Sequence, residues 1–175
     1  MDADDLLVNP DLLAILYNYY LKYNLDIIEF KVIKYDYKNK RLFIQDKKDH
    51  KHFQKEIIYQ PELSEILFYE PGTKKYTGII CKSIWNKIIR KELAKKIFNY
   101  IGEDYYRDFV LTSDDTLILI LALQFASNFS NINYSGYMYN IREKSITHGK
   151  KEDTFKKIFD YNYFLNFFLY SIIFF

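Results

Sequence analysis

The spacing of apolar residues predicts a helix and a strand near the start of the chain. Leucine and tyrosine side chains recur every three or four positions over residues 12–20, which is the period of a helix with one buried face. Asn9 and Pro10 are residue types that favour a helix N-terminus, so we predict a helix from this point to about Tyr23. The run Asp26–Tyr35 is rich in β-branched and aromatic residues and predicts a largely buried strand.

The remaining elements are predicted from residue spacing, turn residues and composition in the same way. The charged stretch 35–54 ends in alternating residues and, with Lys38-Asn39-Lys40 as a turn, predicts a hairpin or an exposed insertion. Pro61 opens a short helix that Pro71-Gly72 ends. Longer helices are predicted over 87–100, 114–127 and 152–175. The first of them should have Phe98 on its inner side and Gly102 as its C-terminal cap. β-type segments are predicted over 132–141, divided at Ser135-Gly136. This order, with no linker long enough to divide it, predicts one α/β domain.

Composition excludes several classes of protein. The chain has 175 residues, of which 49% are hydrophobic, so it can form a core. Its 25 basic and 23 acidic residues leave a net charge of +2, which gives no field for binding nucleic acid. A single cysteine excludes a disulfide framework and suits a reducing compartment, so we expect a cytoplasmic location. Five glycines argue against Gly-rich phosphate loops.

The segment 161–175 is the most apolar part of the sequence. It is shorter than the ~20 residues of a membrane-spanning helix, and it contains Asn162 and Asn166. We therefore expect a core or surface helix, and contact of this aromatic segment with a membrane surface or another chain stays open.

An acidic cluster precedes the first predicted helix. Asp2 and Asp4 share one face of an extended segment, and Asp5 follows directly. Carboxylate oxygens at this spacing suit Mn²⁺ or Mg²⁺. The alternative is that these acids only complement the positive end of the helix dipole.

Four segments resemble motifs of the family 2 glycosyltransferases of the GT-A fold. In that family a strand ends in a D-x-D motif and is followed by a proline-started helix and a D-I-[IV] strand, as in residues 2–28 here. Residues 83–90 are similar to the family's W-x-K-L-[YI]-[KR] segment, and residues 113–117 to its E-D-x-L/F motif, although the acidic pair here is Asp-Asp. Residues 137–147 resemble the Y-x-Y-x-x-[RN]-x-x-S-I-[TS] segment that closes the domain.

The resemblance implies a fold and a division of the chain. It implies a partial GT-A domain, with a mixed sheet and flanking helices, that lacks the N-terminal Rossmann-like half in which the family binds base and ribose. The implied parts are 1–35 (D-x-D motif, helix and strand), 36–80 (a variable insertion), 81–148 (the acceptor and catalytic part) and 149–175 (a C-terminal helix). Because no residues match the nucleoside site, we expect this chain alone not to transfer sugar.

The resemblance also implies a reaction and a site. The reaction is inverting transfer of a sugar from a nucleoside diphosphate, such as UDP, to a hydroxyl of a glycan, lipid-linked or protein acceptor, in cell-surface glycan biosynthesis. The resemblance implies that Asp115 is the general base and that Asp114 orients it. It implies that Asp4, with Asp2 or Asp5, binds Mn²⁺ or Mg²⁺, and that Asp2, Asp4 and Arg142 lie at the donor diphosphate. Trp85 and Lys87 would contact the acceptor.

Other interpretations of these residues remain. Asp114 and Asp115 are also what a helix dipole favours in a first turn, Glu103-Asp104 is a second candidate for the acidic motif, and Trp85 could be a packing residue. The chain as a whole could be a non-enzymatic remnant or an α/β module that binds a protein partner.

Overall fold

The computed structural model describes residues 5–44, 56–63, 84–102 and 114–141. In these ranges it contains three helices and a six-stranded mixed sheet, which confirms the predicted α/β class. In chain order the elements are β1 (Leu6–Leu7), α1 (Leu12–Tyr23), β2 (Ile27–Asp36), β3 (Arg41–Ile44), β4 (Ile58–Tyr59), β5 (Lys87–Ile89), α2 (Lys91–Ile101), α3 (Asp114–Phe125) and β6 (Asn128–Ile141). The helix predicted over 152–175 lies outside the described residues.

Two long parallel strands form the centre of the sheet. β2 and β6 pair along their whole lengths, from Ile27 opposite Phe129 to Asp36 opposite Ile141. The outer edge of β6 pairs with β4 near its start and with β1 near its end, both antiparallel. The outer edge of β2 likewise pairs with β5 near its start and with β3 near its end. The short strands therefore pair with both ends of each edge of the parallel pair.

Apolar residues on each face of the sheet form a core with the helices on that side. On the face that we call the α1 face, β2 buries Ile28, Phe30 and Val32 against Leu12 and Leu16 of α1. On the opposite face, which we call the back face, buried side chains of β2, β6, α2 and α3 pack together. They include Ile27, Phe129, Leu93, Ile97, Leu119 and Leu123. Alternate residues of β2 thus face different helices, as a strand buried on both sides requires.

A double shift in register allows α1 to approach β6 closely. The pairing of β6 with β2 shifts between Phe30 and Lys31 and again between Lys31 and Val32. Gly136 lies in this irregular part, and its carbonyl accepts hydrogen bonds from the backbone N–H groups of Val8 (2.9 Å) and Asn9 (3.2 Å). A Cβ on Gly136 would lie 3.0 Å from Leu12 Cβ, so only glycine fits without a shift of the helix.

Polar side chains join the starts of the central strands. Asp26 Oδ2 accepts a hydrogen bond of 2.7 Å from the N–H of Ser127, and the N–H of Asp26 donates to Asn128 Oδ1 at 2.8 Å. Arg90 Nε lies 3.2 Å from Asp26 Oδ1. The aspartate of the D-I-I sequence thus connects β2, β5 and β6.

Most predicted elements before residue 60 are confirmed. The helix ends at Tyr23 as predicted but begins at Leu12, because the Asn9 side chain accepts from the N–H of Asp11 (2.9 Å) and caps the turn before the helix. β2 covers the predicted buried strand. The predicted turn follows it, with the Asp36 carboxylate accepting from the N–H groups of Lys38 (2.9 Å) and Asn39 (3.1 Å), and β3 completes the hairpin.

Three predictions in the second half are wrong. Residues Lys87–Ile89 were predicted to start a helix, but they pair with β2 as β5, and α2 begins at Lys91. Phe98 was predicted to face inward and is 49% exposed. The short segments predicted over 132–141 form one continuous strand from Asn128, because β6 passes through its register shift without ending. Gly102 follows α2 as predicted, and its N–H donates to the carbonyl of Phe98 at 3.1 Å.

Candidate functional site

Asp5 is buried beside the end of β6. The residue is only 4% exposed, and both oxygens of its carboxylate accept hydrogen bonds. The Tyr137 hydroxyl donates a hydrogen bond to Oδ2 at 2.5 Å, and the N–H of Asn140 donates one to Oδ1 at 3.0 Å. These two bonds hold the last residue of the acidic cluster against the C-terminal end of β6.

Trp85 stacks on two tyrosines of β6. Its ring is nearly parallel to that of Tyr139, at 8° and 4.9 Å between centroids, and to that of Tyr137, at 18° and 5.5 Å. Tyr137 and Tyr139 are two residues apart in β6 and therefore share the α1 face. Tyr137 is buried, whereas Tyr139 and Trp85 are half-buried. The three rings form a flat aromatic platform, which has Lys34 Nζ 5.9 Å from the centroid of Tyr139.

Asn86 fixes the segment that carries Trp85. Its side-chain N–H group donates to the carbonyl of Phe30 at 3.3 Å and to Glu29 Oε1 at 3.2 Å. In the other direction, the N–H of Phe30 donates to the carbonyl of Asn86 at 3.1 Å. Asn86 is 4% exposed, so these bonds are shielded from water and hold Trp85 against β2.

Lys87 lies inside the protein rather than on the platform. Its ammonium Nζ is 3.8 Å from Glu29 Oε2 and donates to Asn86 Oδ1 at 2.9 Å. The side chains of Lys87 and Glu29 are 0% and 1% exposed. The residue that the resemblance assigns to the acceptor therefore forms a buried charge pair across β2 and β5.

Asp115 contacts the residue before Trp85. The N–H of Ile84 donates to Asp115 Oδ2 at 3.4 Å, and this bond connects the first turn of α3 to the segment that carries Trp85. Asp115 is half-buried. The structure describes the backbone of Asp114 as the first residue of α3.

The described candidates form one continuous region. Asp5 and Trp85 both contact Tyr137, and Asp115 contacts Ile84, the neighbour of Trp85. Tyr137 and Tyr139 lie near the carboxyl ends of the parallel strands β2 and β6, which is where open α/β sheets bind ligands.

Part of the predicted metal and donor site lies outside the described residues. This applies to Asp2, Asp4 and Arg142. Within the described ranges, no group of three or more histidine, cysteine or acidic residues is arranged to hold a metal ion. Each carboxylate oxygen of Asp5 accepts one hydrogen bond, from the Tyr137 hydroxyl and from the N–H of Asn140, and the role of Asp5 as a metal ligand stays a prediction.

Several residues of the region were missed by sequence reasoning. Tyr137 and Tyr139 were noted only as letters of a motif, and Asn86 and Glu29 were given no role. The alternation of Tyr137 and Tyr139 in a strand could have indicated a shared face. No local pattern indicates that Trp85 stacks on them, because the contact joins distant parts of the chain.

Comparison with models of known protein families finds no match, and comparison with curated protein sequences finds none either. None of the described helices is both long enough and apolar enough to cross a membrane.

Proposed function

We propose that this chain provides the acceptor-binding and catalytic part of an inverting glycosyltransferase of the GT-A type. The observation that carries the proposal is the contact between Asp115 and the segment of Trp85. The Asp115 carboxylate is hydrogen-bonded to Ile84, the residue before Trp85, and the Trp85 ring is half-buried. Both residues come from motifs that resemble the same family, and they are distant in sequence.

The platform supplies a surface that suits a sugar. The C–H groups on one face of a pyranose ring are apolar, and they pack well on a flat aromatic surface. Tyr137 and Tyr139 support Trp85 from beneath, which keeps its ring in one orientation. In this proposal Trp85 holds the acceptor sugar, while Asn86 positions Trp85.

Asp115 acts as the general base. Its carboxylate takes the proton from the acceptor hydroxyl as that oxygen attacks the anomeric carbon of the donor. The new glycosidic bond forms while the bond to the nucleoside diphosphate breaks, and the configuration inverts. The hydrogen bond from the N–H of Ile84 orients the carboxylate, and Asp114 is proposed to assist it.

The donor side of the proposal rests on Asp2, Asp4 and Arg142. A divalent cation bound there, Mn²⁺ or Mg²⁺, would neutralise charge on the leaving diphosphate of a UDP-sugar. Asp5 holds the acidic cluster to β6 through its hydrogen bonds from Tyr137 and Asn140, and it could complete the cation site beside Asp4. Residues for the base and ribose are matched nowhere in this sequence, so transfer requires a donor-binding half.

Acceptor binding by the full chain tests this proposal without a donor. Saturation-transfer NMR with a panel of common hexoses, N-acetylhexosamines and their disaccharides should detect binding of at least one probe. Trp85→Ala should abolish the signal. Tyr59→Ala is the matched control, because Tyr59 is 56% exposed on β4 and pairs with the start of β6, away from the platform. Equal signals from both variants, or none from the wild type, would contradict the proposal.

A further inference from the structure

A row of apolar side chains crosses the back face near the ends of the central strands. Leu6 of β1 is opposite Met138 of β6, Met138 is opposite Ile33 of β2, and Ile33 is opposite Ile44 of β3. Residues directly opposite one another share a face, so these four side chains lie side by side. The next row contains Leu42, Tyr35 and the buried Asn140. We call the first row, with Leu42 and Tyr35, the apolar half-face.

Three residues of the apolar half-face are exposed to solvent, whereas Ile33, Tyr35 and Met138 are half-buried. Leu6 is 51% exposed, Ile44 52% and Leu42 64%. The buried back-face core includes Ile27 and Phe129, near the starts of β2 and β6, and none of the half-face residues. A contiguous apolar surface across four strands is unusual on a protein in water unless something covers it.

The last described residue of β6 lies beside this surface. β6 ends at Ile141, which is opposite Asp36 at the end of β2. The sequence continues with a charged stretch, 142–160, and then with 161–175, which has no charged residue and is apolar or aromatic except for Asn162, Asn166 and Ser171.

Residues 142–160 are long enough for the segment to reach the half-face. An extended chain spans up to about 3.3–3.6 Å per residue, whereas neighbouring strands are about 4.8 Å apart. The row crosses only four strands, so its width is a small part of that reach. A segment tethered so close also has an effective concentration of the order of millimolar, which a second copy does not reach at ordinary protein concentrations.

We propose that residues 161–175 pack against the apolar half-face of their own chain. This contact removes two apolar surfaces from water at once. Insertion of the segment into a lipid surface, by contrast, would leave Leu6, Ile44 and Leu42 exposed. The inference is independent of the proposed enzymatic function, because it uses none of the platform residues.

Photo-crosslinking from two adjacent positions of β3 tests this contact. Ile44 and Phe43 are neighbours of similar exposure, 52% and 46%, but they face opposite sides of the sheet. A benzophenone amino acid is placed at one or the other position in the full chain, with the emission of Trp85 as a check that both proteins are folded. From position 44 we expect intramolecular crosslinks to residues 161–175, at least fivefold more than from position 43.

A second variant and added lipid make the result decisive. Phe168→Asp in the segment should reduce the crosslinks from position 44 at least fivefold, because a carboxylate opposes burial. Crosslinks to a second chain, equal yields from both positions, no crosslink to 161–175, or loss of the intramolecular crosslink on addition of phosphatidylcholine–phosphatidylglycerol vesicles would each overturn the proposal.

Discussion

The hydroxyl of Tyr137 donates a hydrogen bond to Asp5 Oδ2 and joins residues that are 132 positions apart. Tyr137 is also the ring on which Trp85 stacks. A single side chain therefore connects the end of the acidic cluster to the aromatic platform.

This connection predicts energetic coupling between the two residues. Tyr137→Phe and Asp5→Asn should each lower the free energy of unfolding by about 1–3 kcal/mol, because each alters a buried hydrogen bond to a charged group. The double variant should lose about 0.5–3 kcal/mol less free energy of unfolding than the two single variants lose together. Urea denaturation, monitored by the emission of the single tryptophan, measures all three values. Strict additivity would show that the bond does not connect the two sites.

The close approach of α1 to β6 predicts a strong effect of a small substitution. Gly136→Ala should destabilise the protein by about 1–3 kcal/mol, since the new methyl group would lie 3.0 Å from Leu12 Cβ and 3.1 Å from Asn9 Cβ. Ser135→Ala, at the neighbouring half-buried position, should stay within about 0.5 kcal/mol of the wild type. Thermal denaturation compares the two variants, and equal stabilities would refute the packing argument.

The buried charge pair predicts that one substitution is worse than two. Lys87→Met leaves the Glu29 carboxylate buried without the ammonium group and should cost about 3–5 kcal/mol. The double variant Glu29→Gln/Lys87→Met removes both charges and should recover most of this loss. Lys91→Met, at an exposed position of α2, is the control for loss of a positive charge. Urea denaturation measures the three variants, and a double variant no more stable than Lys87→Met would contradict the pairing.

A cluster of two α1 tyrosines and the carboxylate of Glu56 predicts a limited pH range of stabilisation. The hydroxyls of Tyr19 and Tyr23 both donate to Glu56 Oε1. Burial, and then the hydrogen bond to Glu56, raise the pKa of Tyr19 from 10.0 to about 12. The hydrogen bonds from Tyr23 and Tyr19 lower the pKa of Glu56 below 4.5. The raised pKa gives stability that is complete below pH 10 and lost towards pH 12, and the lowered pKa gives stability that is complete above pH 4.5 and lost in acid.

Glu56→Ala should therefore lower the Tm slightly between about pH 4.5 and 10, and the difference from the wild type should shrink on both sides of this range. Glu92→Ala, at an exposed position of α2, controls for the loss of a carboxylate. Melting curves over the full pH range measure both variants. A difference that grows in acid would have the wrong sign for this cluster.

The sequence predicts elements best where the signal is local. α1 has a clear helical period, β2 is a run of β-branched and aromatic residues, and Asp36 and Asn39 are ordinary turn residues. Lys87–Ile89 was assigned to a helix because Ile88 and Ile89 fit the spacing of the apolar residues that follow. Only the pairing of Ile89 with Ile27 of β2 makes this segment a strand, and that pairing has no local signal.

The site follows the same rule. Motif resemblance predicted roles for Asp5, Trp85 and Asp115, but it gave no role to Tyr137, which connects Asp5 to Trp85. A motif names residues in one segment, whereas the stacking of Trp85 on Tyr137 depends on how β5 and β6 lie on either side of β2. The burial of Lys87 was missed for the same reason, since Glu29 is opposite it in another strand.

The most direct test of the proposed function is sugar transfer by this chain with the donor-binding half of a family 2 glycosyltransferase fused before Asp2. The fusion must first bind UDP in the presence of Mn²⁺, which shows that the donor half is folded. We then expect transfer from a UDP-sugar to an acceptor found by NMR. Asp115→Asn should reduce turnover by about 10²–10⁴ with UDP binding unchanged, while Asp104→Asn, in the second acidic candidate, should have little effect. A fusion that binds UDP and acceptor but transfers no sugar, or one that loses more activity through Asp104→Asn than through Asp115→Asn, would contradict the account.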